Sequence, residues 1–146
     1  MHFFKNRSLK PPTVNTALII DSTEATRIAL SQLLTTEWPH LSVMTAETGI
    51  KGLKLACDLQ PDLILLESDL EGLDSFQIAK VLRHLAETQN IPLIALTGQD
   101  AIEDQRIAGL TTTCHATVEK PISPEKLRQV IATVNGEVTA TTLSSI

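Results

Sequence analysis

The sequence alternates between two periodicities along most of its 146 residues, and this alternation is the feature that most restricts its fold. Apolar residues recur at the spacing of amphipathic helices between five short, mainly apolar segments that we predict to be strands. These segments are TALIID (16–21), LSVMTA (41–46), DLILLE (62–67), IPLIALT (91–97) and ATVEK (116–120). Five strands alternating with five helices predict a doubly wound α/β fold, a five-stranded parallel sheet with right-handed crossovers and helices on both faces.

The intervening helices have recognisable limits. The first is predicted at about residues 23–36 and ends before Pro39, because the residue preceding a proline disfavours helix. The second is marked by Ile50, Leu53, Ala56 and Cys57 and ends near residue 59; the third is carried by the apolar residues from Phe76 to Leu85. The fourth is a short helix at 100–109, with acids suited to its start. The fifth has Ser123 as N-cap and Pro124 in its first turn, and we expect it to stop at Gly136.

Length and composition predict one globular domain at residues 16–135, preceded by a flexible basic arm (1–15) and followed by a tail (136–146). In the arm, Phe3 and Phe4 offer the alternative of a hydrophobic anchor. A formal charge of -5 argues against binding of nucleic acids or anionic membranes. Two distant cysteines give no disulfide framework, and the sequence has neither a signal peptide nor an apolar run long enough for a membrane span, which takes roughly 18 residues. We therefore expect a cytoplasmic protein with protein partners.

Polar side chains follow four of the five predicted strands. Asp21 and Ser22 follow the first, Ser68 and Asp69 come after Glu67 at the end of the third, Thr97 ends the fourth and Lys120 ends the fifth. In parallel sheets the carboxyl ends of the strands meet at one edge, where function gathers. Such a group could hold Mg²⁺, bind a phosphoryl group or form a self-compensated ionic cluster.

These motifs, in this order and spacing, resemble the receiver domain of bacterial two-component response regulators over nearly all of residues 16–135. The matching pieces are LIIDS, AETGIKGLKLA, PDLILLESDLEGLDSF, IPLIALT and VEKPIS. The resemblance implies a flavodoxin-like sheet with strand order 2-1-3-4-5 and a place in a His–Asp phosphorelay. It also implies that Asp21 is an acid of the Mg²⁺ site and that Thr97 and Lys120 receive phosphoryl oxygens.

Three residues depart from the receiver pattern. Glu67 stands where the family has its phosphoacceptor Asp, Ser22 stands where it has a direct Mg²⁺ ligand, and Thr117 occupies the switch position that is often aromatic. A Glu would move the attacking oxygen outward by about one methylene, and displacements of about 1 Å can cost two orders of magnitude in rate. We therefore expect no catalytic residue, no enzymatic activity and no cofactor, with Mg²⁺ bound weakly at most, by Asp21 and Glu67.

The leading hypothesis is a pseudo-receiver, held in one state by a Glu67–Lys120 ion pair and acting as a protein-interaction module. Alternatives are a scaffold in which the two charges merely neutralise each other, and a working single-domain receiver that accepts phosphate at Glu67 or Asp69. An enzyme or nucleotide binder is disfavoured because DSTEATR (21–27) contains no Gly-rich phosphate loop. The expected partner is a sensor kinase or regulator docking on the face of residues 100–134, which could also form a homodimer.

Overall fold

The computed structural model describes residues 14–70, 74–98 and 105–144. The strands are β1 (Thr16–Ile20), β2 (Ser42–Ala46), β3 (Leu63–Glu67), β4 (Leu93–Thr97) and β5 (Ala116–Glu119). The helices are α1 (Glu24–Glu37), α2 (Gly49–Leu59), α3 (Ser75–His84), α4 (Gln105–Thr113) and α5 (Pro124–Ser144). All strand pairs are parallel and the order is β2-β1-β3-β4-β5, which confirms the predicted doubly wound fold.

The sheet separates two apolar layers, and successive residues of the central strands alternate between them. In β1, Leu18 and Ile20 belong to the layer beneath α2, α3 and α4, whereas Ala17 and Ile19 belong to the layer beneath α1 and α5. The strands β1, β3 and β4 have neighbours on both edges and helices on both faces, so their apolar residues are fully buried. Because the interiors of these strands are apolar and buried, polar side chains are found where the strands end.

Helix α2 packs against the sheet through small residues. A Cβ on Gly52 would lie 2.5 Å from Cδ1 of Ile20, and one on Gly49 would lie 2.7 Å from Cδ1 of Ile78. The buried residues of this helix are accordingly Gly49, Gly52 and Ala56, while Ile50 is 64% exposed. The helix that Ile50 marked in the sequence is present, but Ile50 itself faces solvent, because the glycines lie on the face that contacts the sheet.

Helix α4 extends further than the sequence predicted. It runs to Thr113 rather than to residue 109, and within its last turn the hydroxyls of Thr111, Thr112 and Thr113 donate to backbone carbonyls one turn earlier at 2.8–2.9 Å. Helical structure thereby takes up part of the segment between Gly109 and Lys120. The acids predicted for the helix start, at residues 100–104, lie outside the described residues.

Helix α5 begins as predicted but ends later. Ser123 acts as the N-cap, because its Oγ accepts the Lys126 N–H at 3.1 Å. The predicted stop at Gly136 is wrong, since the helix continues to Ser144. An interior glycine costs only about 1 kcal/mol relative to alanine, and no proline follows it, so the helix can propagate into the predicted tail.

The first strand is fixed at its start by one carboxylate. Asp62 Oδ2 accepts the backbone N–H groups of Asn15 and Thr16 at 2.9 and 3.1 Å and the Thr16 hydroxyl at 3.2 Å. The predicted arm and its Phe3–Phe4 anchor lie outside the described residues, apart from positions 14 and 15. Among the described helices, none is long and apolar enough to cross a membrane.

Candidate functional site

The polar residues predicted at the strand ends occupy the carboxyl edge of the sheet. Asp21 follows β1 directly, Glu67 and Thr97 are the last residues of β3 and β4, and Lys120 follows β5. Glu67 pairs in register with Leu96, and Thr97 with Glu119, so these ends are level with one another. The strands themselves therefore bring together two carboxylates, a hydroxyl and an ammonium.

Lys120 is the cation that joins the two carboxylates. Its Nζ forms an ion pair with Glu67 Oε2 and lies 3.8 Å from Asp21 Oδ2. The two acidic side chains are almost completely enclosed, at 2% and 8% exposure for Asp21 and Glu67, whereas the side chain of Lys120 is 31% exposed. One ammonium therefore serves two buried carboxylates, and of the three groups only the ammonium side chain retains substantial contact with solvent.

Glu67 is also held by its neighbours. The backbone N–H of Asp69 makes a long contact of 3.4 Å with Glu67 Oε1, and the buried hydroxyl of Ser75 donates to the Glu67 carbonyl at 2.6 Å. Burial raises the pKa of the Glu67 carboxyl, and the opposing effect of Lys120 does not cancel that rise. Desolvation therefore outweighs the ion pair in setting the protonation of this carboxyl.

Asp21 is oriented mainly by the start of α1. Its Oδ1 accepts the Thr23 N–H at 2.9 Å, and Arg27 donates to its backbone carbonyl at 2.7 Å. Its Oδ2 is buried and accepts no hydrogen bond from the described residues. Sequence reasoning missed Arg27, whose single signal was a cation in the second turn of the helix that follows the strand.

The remaining predicted site residues surround this ionic centre. The carbonyl of Thr97 accepts the Lys120 N–H at 2.8 Å, which aligns the ends of β4 and β5. Ser22 is half-buried beside Asp21, whereas Asp69 is exposed. Thr117 lies in β5, and its enclosed hydroxyl has no hydrogen-bond partner among the described residues. The structure thus gathers Asp21, Glu67 and Lys120 by direct contact and places the others around them.

An apolar groove begins next to Lys120. One wall is α1, through Ala29 and Leu33, and the other is the segment from Lys120 to Ile122. The same helix sends Leu30 and Leu34 into the core, so only part of its apolar face is covered. No group of three His, Cys, Asp or Glu side chains suited to a metal ion occurs within residues 14–70, 74–98 and 105–144.

A protein-family model and several known proteins are similar to this chain in sequence. The protein-family model "Response regulator receiver domain" matches residues 17–132. The DNA-binding dual master transcriptional regulator RpaA of Synechocystis sp. is 36% identical over 110 residues, which cover 75% of this chain and 44% of RpaA. Protein PilH of Pseudomonas aeruginosa is 32% identical over 117 residues, covering 80% of this chain and 94% of PilH.

A solved structure supports the same fold. A putative response regulator from Chloroflexus aurantiacus superposes with a TM-score of 0.75 at 24% identity, covering 85% of this chain and 99% of that one. The chain spans less than half of RpaA, whereas it matches nearly all of PilH. The family match covers most of the sequence, and the sheet order agrees with it. The chain therefore belongs to the response regulator receiver domains, the signalling modules of two-component systems.

Proposed function

We propose that this chain is an atypical receiver that does not accept phosphate and acts through protein contacts, with the Glu67–Lys120 ion pair holding it in one state. The observation that carries the proposal is the engagement of Lys120 Nζ by Glu67 Oε2. A carboxylate provides one charge and two acceptor oxygens, against about -1.5 to -2 charges and three acceptors for a phosphoryl group. Glu67 is thus a partial and permanent substitute for phosphate at Lys120.

The surroundings of Glu67 oppose its use as a nucleophile. Its side chain is 8% exposed and one of its oxygens faces an ammonium, so an incoming phosphoryl group would have to break the ion pair. Burial also raises its pKa, which lowers the fraction of reactive carboxylate at a given pH. The nearby Asp69 is exposed and contacts Glu67 through its backbone N–H, which leaves its carboxylate outside the enclosed centre.

The donor set also fits Mg²⁺ poorly. This ion demands near-octahedral oxygen ligands and usually takes one or two carboxylates together with substrate phosphates. Here Glu67 Oε2 is engaged by Lys120 and Asp21 Oδ1 by the Thr23 N–H, while Ser22 contributes a neutral hydroxyl in place of an acid. We infer that Mg²⁺ binds weakly at most, that the chain needs no cofactor and that it performs no catalytic turnover.

The partner is proposed to be another signalling protein, a sensor kinase or a regulator, that docks on the face predicted at 100–134. Residues 120–122 of this face line the apolar groove, so a partner bound there would lie directly against the ion pair. The same face could serve a homodimer. A charge of -5 argues against nucleic acids and anionic membranes as partners.

Phosphorylation by a small-molecule donor tests the proposal directly. The protein is incubated with acetyl phosphate and Mg²⁺, and its intact mass is recorded before and after. We expect no phosphoryl adduct on the wild type. The matched variant Ser22→Asp/Glu67→Asp restores both missing acids and is expected to gain an adduct, which shows that the conditions are adequate. A wild-type adduct that disappears in Glu67→Ala, or in Asp69→Ala, would refute the proposal and favour the phosphorelay alternative.

A second experiment tests the role of the ion pair in docking. Immobilised wild type and Glu67→Gln are compared for capture of proteins from the native host, with Glu24→Gln on the exposed surface of α1 as the control. We expect Glu67→Gln to change the captured amount of at least one protein and Glu24→Gln to change none. Identical capture by all three proteins would contradict a state-setting role for Glu67.

A further inference from the structure

A second groove lies at the opposite edge of the sheet, where the strands begin. Its volume is about 380 Å³, and it lies between the α2–β3 connection at Pro61, the α3–β4 connection at Ile91 and residue Asn135 of α5. Val14, the first described residue, forms part of its wall. The groove is thus far from the ionic centre and is continuous with the point where the described chain begins.

The walls of this groove carry negative charge. Asp62 and Glu87 line it, and the described residues that line it include no Lys, Arg or His. Burial raises the pKa of the Cys57 thiol, and the charges of Glu87 and Asp58 raise it further, so both carboxylates act on the end of α2 beside the groove. Pro61, Ile91 and Pro92 add apolar surface. The groove therefore suits an extended segment that combines cations with apolar side chains.

We propose that residues 1–13 of this same chain bind in this groove. The segment contains Lys5, Arg7 and Lys10 and no acid, which complements the acidic wall. It also contains Phe3, Phe4 and Leu9, which match the apolar part of the surface. In this proposal Glu87 at the rim is the partner for the cations, and Ile91 is the apolar surface for the phenyl rings.

Because residues 1–13 are joined to the groove through Val14, a low affinity is sufficient for them to occupy it. Thirteen residues in an extended conformation reach about 40 Å, and the stretch Pro11–Pro12 favours an extended backbone close to the groove. A short linker gives an effective concentration in the millimolar range, so a segment with a dissociation constant of about 1 mM would be bound roughly half of the time. Few charges are involved, and added salt weakens the contact.

Amide chemical shifts of the full-length ¹⁵N-labelled protein test this placement. The variant Lys5→Ser/Arg7→Ser/Lys10→Ser is expected to shift the amides of Gln60, Glu87 and Asn90, which line the groove. Glu87→Gln is expected to shift the amides of Gln60 and Asn90 in the same direction. The matched control Lys126→Ser, which removes an exposed cation from the start of α5, is expected to leave them unchanged. Unchanged groove amides in the triple variant would overturn the proposal.

A spin label on the segment identifies what occupies the groove. It is attached at Ser8→Cys in a Cys57→Ser background, where Cys114 is unreactive because burial raises its thiol pKa to about 12. We expect broadening of the Asn90 and Ile91 amides at all protein concentrations. Broadening confined to another surface would overturn the proposal. So would broadening of a ¹⁵N-labelled, unmodified chain mixed with a spin-labelled, unenriched one, because the segment of a second copy would then be the occupant.

Discussion

Replacing Lys120 by methionine should destabilise the domain far more than replacing Glu67 by glutamine. Lys120→Met leaves Glu67 and Asp21 as two buried carboxylates without a counter-ion, since their side chains are 8% and 2% exposed. Removing one partner of a buried ion pair costs about 3–5 kcal/mol, and partial access of solvent around Lys120 reduces this to about 2–4 kcal/mol. Glu67→Gln instead leaves a lysine that is 31% exposed and still 3.8 Å from Asp21, so we expect a cost below about 1 kcal/mol.

Urea unfolding at pH 7 measures these differences for the wild type, the two single variants and Lys120→Met/Glu67→Gln. The double variant removes one charge of each sign and is expected to recover only part of the stability lost in Lys120→Met, because the buried Asp21 carboxylate still lacks the ammonium. At acidic pH the cost of Lys120→Met should shrink, because protonation of Glu67 removes the buried charge. Equal losses for the two single variants, or a loss of less than about 0.5 kcal/mol for Lys120→Met, would refute the inference that the enclosed carboxylates need this ammonium.

Three further predictions concern the same fold. Burial raises the pKa of Glu67 above the ordinary carboxyl value, so the folded state binds this proton more tightly than the unfolded state does. The free energy of unfolding of the wild type should therefore fall, relative to that of Glu67→Gln, as the pH rises from the ordinary carboxyl pKa through the raised pKa of Glu67. Urea unfolding at several pH values measures this, and a rise over the same pH range would contradict the prediction. Gly52→Ala should cost up to about 2 kcal/mol, because overpacking against Ile20 at about 1–3 kcal/mol opposes the helix-propensity gain of about 1 kcal/mol, and Ile20→Val should recover part of any loss. Asp62→Ala removes the acceptor of three donors at the start of β1 and should cost about 1–2 kcal/mol in the same assay, whereas Asp58→Ala on the exposed surface of α2 should change stability by less than about 0.5 kcal/mol.

The order of elements could be predicted because the relevant signals are local. Continuous apolar runs such as Leu63–Leu66 fit a strand that is covered on both faces, and this pattern fixed β3 and β4 closely. Caps are equally local, as the Ser123–Lys126 hydrogen bond shows. The carboxyl ends of parallel strands then had to lie at one edge, so the placement of Asp21 and Glu67 followed from the strand assignments alone.

The structure differs from the expectations of the sequence where tertiary packing overrides local conformational preference. Gly136 favours a helix end in isolation, yet the penalty for an interior glycine is small and α5 continues to Ser144. Ile50 has the spacing of a core residue, but the tight approach of Gly49 and Gly52 to the sheet selects another face of α2. Neither the end of α5 nor the buried face of α2 can be predicted from a few neighbouring residues, because each depends on contacts with elements that are distant in the sequence.

The ion pair shows the same division between what sequence and packing determine. The sequence led to the hypothesis of a Glu67–Lys120 ion pair, but it gave no information on how far each of the two side chains is exposed to solvent. Because Glu67 is enclosed while Lys120 is 31% exposed, the two members of the pair are not equivalent: the carboxylate depends on the ammonium, and the ammonium depends much less on the carboxylate. A partner bound at residues 120–122 would cover the exposed member, deepen the burial of both charges and thereby make the contact between them harder to break.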